Sequence, residues 1–429
     1  MSRLSQRSEL IPFSPIRTMF RLADEMERAG GGPVFRLHVG DPDFAPPETV
    51  LEATTAALRG GRTHYAPSAG VHELRAALAQ KAREQNGLTA TTDHVIITPG
   101  STQALFASMA LMLGPGDEML VPEIYWPNYV QQILLLGARP VFYPLGPGYQ
   151  PDLDATRRAV TARTRAILIN SPSNPTGAVF PEPTLRALFE MARERDLWVL
   201  SDEAYEDFVF GGRHVSPGSF ERERPESERR VFTLFTFSKS YAMTGLRIGC
   251  VVCPSLHAGT VLRKCQEPLV ASSTTPLQWG AIAALSPRER TRVETMRDTY
   301  RRRRDLALSI LKPAGMADYT PEGAFYIMAD IGSTGLSGDA FAESLLREER
   351  VAVAPGSGFA LLPEFGPDGA LRAEPRPSGA PDFATNPKAS HRVRIAFCVS
   401  DDELREGLTR LVRFAESIRS TNRAVLRTG

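Results

Sequence analysis

The chain has 429 residues, a length that predicts two domains or one large α/β unit. Of these residues 42% are apolar and 23% are charged, an ordinary balance for a globular protein. Its 50 basic and 49 acidic side chains leave a net charge of +1, which argues against binding to nucleic acid or to a membrane surface. No apolar run approaches the ~18 residues of a membrane span, the first residues do not resemble a signal sequence, and four cysteines are too few for a disulfide framework. We therefore expect a globular protein of the cytoplasm.

An N-terminal helix is predicted at residues 14–30, and short β-rich runs alternate with helical patterns from about residue 50 to 290. The last β-rich run contains Cys250 and Cys253, and their position in a strand argues against a redox or metal-binding pair. Strands that alternate with helices form parallel sheets covered on both faces, so we predict an α/β fold with one seven-stranded, mostly parallel sheet. The predicted strands are VIIT (95–98), EMLV (118–121), PVFYP (140–144), AILIN (166–170), WVLSD (198–202), VFTLF (231–235) and IGCVVC (248–253).

The pattern changes to α+β after about residue 290, where a long charged helix precedes GAFYIMADI, a helix near DAFAESLLREE and the strand HRVRIAFC. We predict an N-terminal arm and helix (1–49) that join the small domain, a large domain (50–305) and a small C-terminal α+β domain (306–429). Residues 361–391 are rich in Pro, Gly and Ala and predict an extended insertion or mobile loop. The arginines 301–304 have acidic neighbours, which favours a solvated helix face over a nucleic-acid patch.

Polar residues follow several predicted strands, at the edge where open α/β sheets bind ligands. Ser101 and Thr102 open a helix, where free backbone N–H groups bind phosphate, although both are also ordinary N-cap residues. Asn174 lies in a turn shaped by two prolines and a glycine, and plain turn chemistry explains it equally. Asp202 emerges from an apolar strand and needs a partner, and Tyr205 lies one helical turn further; helix capping is the alternative.

The next strand delivers Thr236, Ser238 and Lys239 to its end, and Arg247 follows eight residues later. A lysine directly after a buried strand loses hydration of its charged amine, which costs free energy, so we expect such a lysine to have a function. Burial and nearby cations lower the pKa of such an amine and make it nucleophilic toward carbonyl groups. A surface pair of lysine and arginine is the alternative, but the combination with an acid and a phosphate-binding turn favours a catalytic site.

Many motifs in this chain resemble those of the class I/II aminotransferases, the aspartate-aminotransferase-like pyridoxal-phosphate enzymes of fold type I. The resemblance extends from about residue 14 to about residue 415, and its most specific parts are SPSNPTG, SDEAY and SKSYAMTGLRIG. The other matching motifs are LHVGDPDF, THYAPSAGVHELRAAL, ITPGSTQALF, YWPNY, GAFY, PGSGFA and VRIAF.

The resemblance implies pyridoxal 5′-phosphate as cofactor and assigns roles to residues of this chain. Lys239 matches the lysine that forms the aldimine and carries the proton, and Asp202 matches the acid that keeps the pyridine nitrogen protonated. Tyr205 and Asn174 match donors to the 3′ oxygen, and Trp126 matches the aromatic residue that stacks on the ring. The phosphate is assigned to Ser101, Thr102, Thr236, Arg247 and, from a second subunit, Tyr65. The substrate carboxylate is assigned to Gly40, Asn174 and Arg394, with no metal involved.

The resemblance therefore implies an aminotransferase that acts on an α-amino acid and a 2-oxo acid, as a homodimer with shared sites and without nucleic-acid or membrane partners. Elimination or replacement at Cγ, decarboxylation, racemisation and oxidation are alternative reactions of the same fold, and a non-catalytic binding module is a third class. Two departures bear on the substrate. The insertion at 361–391 either covers the mouth of the site or is a surface elaboration. No basic residue lies between Glu267 and Arg288, so aspartate and glutamate are not the default substrates.

Overall fold

Seven strands form the large sheet, and each follows a run predicted from the sequence to within two residues at either end. The computed structural model describes residues 6–9, 11–367, 371–372, 374–375 and 381–428. The strands are β1 Val95–Thr98, β2 Glu118–Pro122, β3 Arg139–Tyr143, β4 Thr164–Asn170, β5 Trp198–Asp202, β6 Val231–Thr236 and β7 Gly249–Val252. They lie in the order β1-β7-β6-β5-β4-β2-β3, and only β7 runs antiparallel to its neighbours. The predicted α/β class and mostly parallel sheet are confirmed.

Helices connect these strands and cover both faces of the sheet. Single helical turns also occur at Gln6–Glu9, Phe237–Ser240 and Pro387–Ser390. Within the part of the chain that the structure describes, no helix has the length and apolar character needed to cross a bilayer. The longer helices are α1 Pro15–Arg28, α2 Glu48–Arg59, α3 His72–Asn86, α4 Gly100–Met112, α5 Asn128–Leu135, α6 Leu153–Ala159, α7 Glu182–Glu194, α8 Leu256–Val270, α9 Thr275–Ala284, α10 Pro287–Leu311, α11 Gly338–Glu349 and α12 Asp401–Thr428.

Alternation along the central strands supplies apolar side chains to both faces of the sheet. Met119 of β2 packs in one cluster with Leu105 of α4, whereas the next residue, Leu120, packs in another with Leu188 of α7. The unbroken apolar runs of the sequence are explained by this double coverage, since residues 166–170 of β4 and all residues of β2 are buried. Ligands are therefore confined to the edges of the sheet.

A smaller antiparallel sheet contains β8 Tyr326–Asp330, β9 Ala354–Pro355 and β10 Arg392–Ala396, with β10 in the centre. Its apolar side chains form one cluster with α11 and α12, which Met19 and Ala23 of α1 join. This packing agrees with an N-terminal segment that belongs to the small domain, although the predicted division into domains stays a prediction. Helix α10 runs unbroken across the predicted boundary at residue 305.

One of the four consecutive arginines contradicts the predicted solvated helix face. Arg303 is buried, and its guanidinium donates two hydrogen bonds to the Asp43 carboxylate (2.8 and 2.7 Å) and one to Asp401 (2.9 Å). A buried arginine needs such partners, and both acids come from segments distant in sequence. The expectation holds for Arg301 and Arg302, which are exposed.

The described part of the 361–391 insertion is paired rather than irregular. Residues 361–362 pair with 384–385, residues 364–365 with 371–372, and residues 374–375 with 381–382, all antiparallel. Phe383 and Ala389 are buried, so the second half of the segment contributes to the core, which the expectation of an extended insertion or mobile loop did not include.

Candidate active site

A cavity of about 650 Å³ lies at the edge of the large sheet where β1, β4, β5 and β6 end. These four strands run in the same direction, so the residues that follow them meet at one edge. Every predicted site residue except Tyr65 lines this cavity: Gly40, Ser101, Thr102, Trp126, Asn174, Asp202, Tyr205, Thr236, Lys239, Arg247 and Arg394.

Lys239 lies in the single helical turn that follows β6, and its amine reaches into the cavity. The Nζ atom donates a hydrogen bond to the backbone carbonyl of Gly40 at 2.6 Å. Burial lowers the pKa of Lys239 to about 8, because the charged form loses its hydration, and the Arg394 and Arg247 cations act in the same direction. A large fraction of the amine is therefore neutral near pH 8 and able to attack a carbonyl carbon.

Asp202 ends β5 and is buried at the base of the cavity. Its Oδ2 atom accepts a hydrogen bond from the hydroxyl of Tyr129 at 2.7 Å, and its Oδ1 atom accepts one from the backbone N–H of Ala204 at 3.2 Å. Burial nevertheless raises the pKa of Asp202 to about 6, since neither donor carries a full positive charge. Among the described residues no basic side chain forms an ion pair with this carboxylate, and a protonated ring nitrogen fits this position.

The sequence did not identify Tyr129 as a partner of Asp202. Tyr129 lies on α5, three residues after Trp126, and its ring contacts the Trp126 indole edge-on at 5.5 Å between centroids. The spacing in YWPNY was the available signal, since residues three apart share one side of a helix. What it could not show is that α5 packs beside the end of β5.

A cradle for an anion forms where α4 begins. Thr236 donates to the Ser238 hydroxyl at 3.0 Å, and Arg247 Nη1 approaches the same oxygen at 3.4 Å. Gly100 has φ +73°, and a Cβ there would lie 2.5 Å from Arg247 Nη2, so only glycine lets the guanidinium reach the helix start. Together with the backbone N–H groups at Ser101, these donors fit a phosphate. Ser238 was noted in the sequence without a role.

Arg394 of β10 lies across the cavity from the cradle. It donates to Asn174 Oδ1 at 3.0 Å and to the backbone carbonyl of His38 at 2.6 Å, and its guanidinium stacks on the Tyr326 and Phe359 rings. It is 3% exposed and makes no ion pair with a carboxylate among the described residues. A buried cation without an anion is costly, so this position fits the carboxylate of a ligand.

The hydroxyls of Tyr205 and Tyr326 lie 2.9 Å apart and connect the two sides of the cavity. Gly40 packs against Tyr326 so closely that a Cβ on Gly40 would lie 1.9 Å from the tyrosine oxygen. The absence of a side chain at Gly40 therefore lets its backbone approach both Tyr326 and the Lys239 amine. Tyr326, which lies in the GAFY motif, had no role assigned from the sequence.

Tyr65 is the one predicted site residue outside the cavity. Its side chain is 89% exposed, and it borders a separate depression next to residues 272–276. Within one chain Tyr65 therefore cannot act on a ligand bound beside Lys239. The resemblance had placed it across a subunit boundary, and its exposure is compatible with that expectation.

The insertion contacts the loop that carries Trp126 rather than the cavity itself. The hydroxyl of Tyr125 donates to the backbone carbonyl of Leu361 at 2.5 Å, and the amide of Asn386 donates to the buried Glu123 carboxylate at 2.9 Å. None of the described residues of the insertion lines the cavity. Their contacts brace the loop at residues 123–127 from the outside.

Comparisons with known proteins identify the family of this chain. Residues 32–411 match the model of the family described as aminotransferase class I and II. The chain is 40% identical to a probable aspartate/prephenate aminotransferase of Aquifex aeolicus, over 96% of this chain and 98% of that protein. It is 38% identical to the aspartate/prephenate aminotransferase of Thermus thermophilus, over 96% of this chain and 99% of that protein. A solved structure, the aspartate aminotransferase from Thermus thermophilus with maleate, superposes with a TM-score of 0.85 at 37% identity, over 96% of this chain and all of that one.

Proposed function

The chain belongs to the class I and II aminotransferase family, and on that premise we propose that the residues gathered in its cavity carry out the transamination. It is a pyridoxal-phosphate-dependent enzyme that moves an amino group from an α-amino acid to a 2-oxo acid. One observation carries the site assignment. One cavity is bordered by a lysine amine of lowered pKa, a buried carboxylate and a buried arginine, and neither of the last two forms an ion pair with any residue that the structure describes.

These residues fit the cofactor and substrate group by group. Asp202 would face the pyridine nitrogen, Trp126 the ring, and Asn174 with Tyr205 the 3′ oxygen, while the cradle of Ser101, Thr102, Thr236, Ser238 and Arg247 would hold the phosphate. When bound, pyridoxal phosphate supplies an aldehyde for a covalent bond to an amine and a protonated ring that accepts electrons from the substrate.

The chain's own residues perform the remaining tasks. Arg394 binds the α-carboxylate of the substrate through its planar guanidinium, which fixes the orientation of Cα in the cavity. Lys239 first holds the cofactor and, once a substrate amine has displaced it, carries a proton away from Cα and returns one to the cofactor side. Its lowered pKa suits both directions of that transfer near pH 8. Asp202 stays ionised beside the ring nitrogen and holds the nitrogen's proton in place.

Borohydride reduction followed by peptide mapping tests the covalent assignment. We expect the cofactor to be fixed on Lys239, and Lys239→Ala to lose turnover by several orders of magnitude because it removes both nucleophile and proton carrier. Reduced cofactor on another lysine would contradict the assignment. Single amino acids added to the yellow enzyme, with the absorbance followed, then identify the donors.

We also propose a homodimer in which Tyr65 completes the partner's phosphate site. Leu51 and Leu58 of α2 and Leu269 of α8 are exposed apolar side chains, and an interface between subunits would cover them. Chains with Tyr65→Phe are mixed with an excess of Lys239→Ala chains, so that each heterodimer contains one intact site. The activity, divided by the number of chains that retain Lys239, should then return to the wild-type value. Unchanged activity on mixing, with heterodimers demonstrated, would show that Tyr65 does not complete the partner's site.

We propose the cytoplasm as the enzyme's location, because all four cysteines are free and thiols stay reduced there. The names of the two relatives point to a substrate class: aspartate and prephenate each carry two carboxylates. We propose that this chain also accepts a dicarboxylic substrate.

A further inference from the structure

The first two turns of α1 and the residue before them form a wall of the cavity that the proposed function leaves without a role. Ser14, Ile16, Arg17 and Phe20 line this wall, and His38 lies beside it. The ring of Phe20 contacts the His38 imidazole edge-on, at 5.8 Å between centroids. The backbone carbonyl of His38 in turn accepts a hydrogen bond from Arg394, the proposed α-carboxylate site. The wall therefore borders the place where the substrate would be held.

Arg17 is a cation of the cavity that lacks an assigned anion. Arg247 is assigned to the cofactor phosphate, Arg394 to the α-carboxylate and Lys239 to the cofactor aldehyde. The Arg17 side chain is exposed and makes no ion pair or hydrogen bond with the residues that the structure describes. By contrast, Arg21 on the same helix pairs with Glu25.

The position of Arg17 in its helix is unfavourable unless an anion is bound. It lies in the first turn of α1, which contains no acidic residue, and its backbone N–H donates to Ser14 at 2.9 Å. The positive end of the helix dipole opposes a cation there and attracts an anion. An anionic group on a ligand would interact favourably with both the guanidinium and the helix end.

His38 is a buried polar residue beside this wall. Its ring nitrogens make no hydrogen bond of good geometry with the described residues, and the backbone of Ala352 is a polar group beside the ring. Because both nitrogens are closed off from the cavity, His38 contributes through its backbone carbonyl, which holds Arg394 in place.

We propose that Arg17 is a specificity-determining residue that binds a second anionic group, in the side chain of the amino donor or acceptor. The inference rests on the proposed function and adds the residue that selects the substrate class. It also revises the expectation drawn from residues 268–287. That segment lacks a basic side chain, but the cavity obtains a cation from α1 instead, so acidic substrates are compatible with the site.

A binding measurement on the loaded enzyme tests the proposal without requiring turnover. Succinate and butyrate differ by one carboxylate replaced by a methyl group, and neither carries an amine. Their dissociation constants are measured from the change in cofactor absorbance or by calorimetry, for wild type, Arg17→Met and Arg17→Lys. Arg21→Met is the matched control, because Arg21 lies on the same helix outside the cavity. Glutarate, which has one more methylene between its carboxylates than succinate, tests whether a greater distance between the two carboxylates improves binding.

We expect wild type to bind succinate about tenfold or more tightly than butyrate, and Arg17→Met to remove most of that preference. Arg17→Lys should retain part of it, and Arg21→Met should retain all of it. Equal affinities in wild type, or an unchanged preference in Arg17→Met, would overturn the proposal. A failure of the proposed function is distinguishable, because in that case no amino acid would convert the cofactor absorbance of the wild type.

Discussion

Asp202→Asn should stabilise the cofactor-free protein at neutral pH even though it weakens cofactor binding. Burial raises the pKa of Asp202 from 3.8 to about 6, which corresponds to about 3 kcal/mol lost from the free energy of unfolding once the carboxyl is ionised. Between these pH values the folded state binds more protons than the unfolded state, so stability falls as pH rises through the window. Asparagine carries no charge and avoids this loss, and its amide oxygen can still accept from the Ala204 N–H.

Urea unfolding of the cofactor-free proteins at pH 4.5 and pH 8 measures this effect. We expect the advantage of Asp202→Asn over wild type to be about 2 kcal/mol larger at pH 8 than at pH 4.5, since the wild-type carboxyl is protonated in the folded state at the lower pH. The control is Asp196→Asn, at a carboxyl that is exposed. With pyridoxal phosphate added, the order should reverse, because the ligand stabilises the form that binds it better. An advantage independent of pH would refute the reasoning.

The remaining predictions concern the amine, the anion cradle and the insertion. Since burial lowers the pKa of Lys239 to about 8, the rate at which cofactor-free protein captures pyridoxal phosphate should rise with pH about a midpoint near 8; a midpoint above 10 would contradict the burial argument. Gly100→Ala should weaken cofactor affinity at least tenfold by displacing Arg247, which equilibrium dialysis measures. The control is Gly116→Ala: Gly116 has a similar φ but no atom within 4 Å of an added Cβ, so this change should lower the free energy of unfolding without altering cofactor affinity. Phe383→Ala should lower the free energy of unfolding by about 3 kcal/mol, measured by urea unfolding, because the ring is buried; no loss would show that the insertion is dispensable.

The sequence predicted the large sheet closely because each strand is a short apolar run bounded by turn residues, and both faces are covered. It also predicted that Asp202, Lys239 and Asn174 lie at one edge, since parallel strands bring their carboxyl ends together, and all three line one cavity. The strand pairs of the insertion escaped prediction. Each is only two residues long, too short for a periodic pattern, and their pairing depends on contacts such as that between Tyr125 and Leu361.

The substrate side of the cavity was harder to predict than the cofactor side for a physical reason. The cofactor anchors follow strands of one sheet, so local sequence and strand direction suffice to group them. The contacts of Lys239 with Gly40 and of Arg394 with His38 join residues 199 and 356 positions apart, and they depend on how the N-terminal segment packs. We therefore expect a change at Arg17 to alter which substrate is bound without disturbing the anchors, because the N-terminal segment reaches the cavity from outside the large sheet.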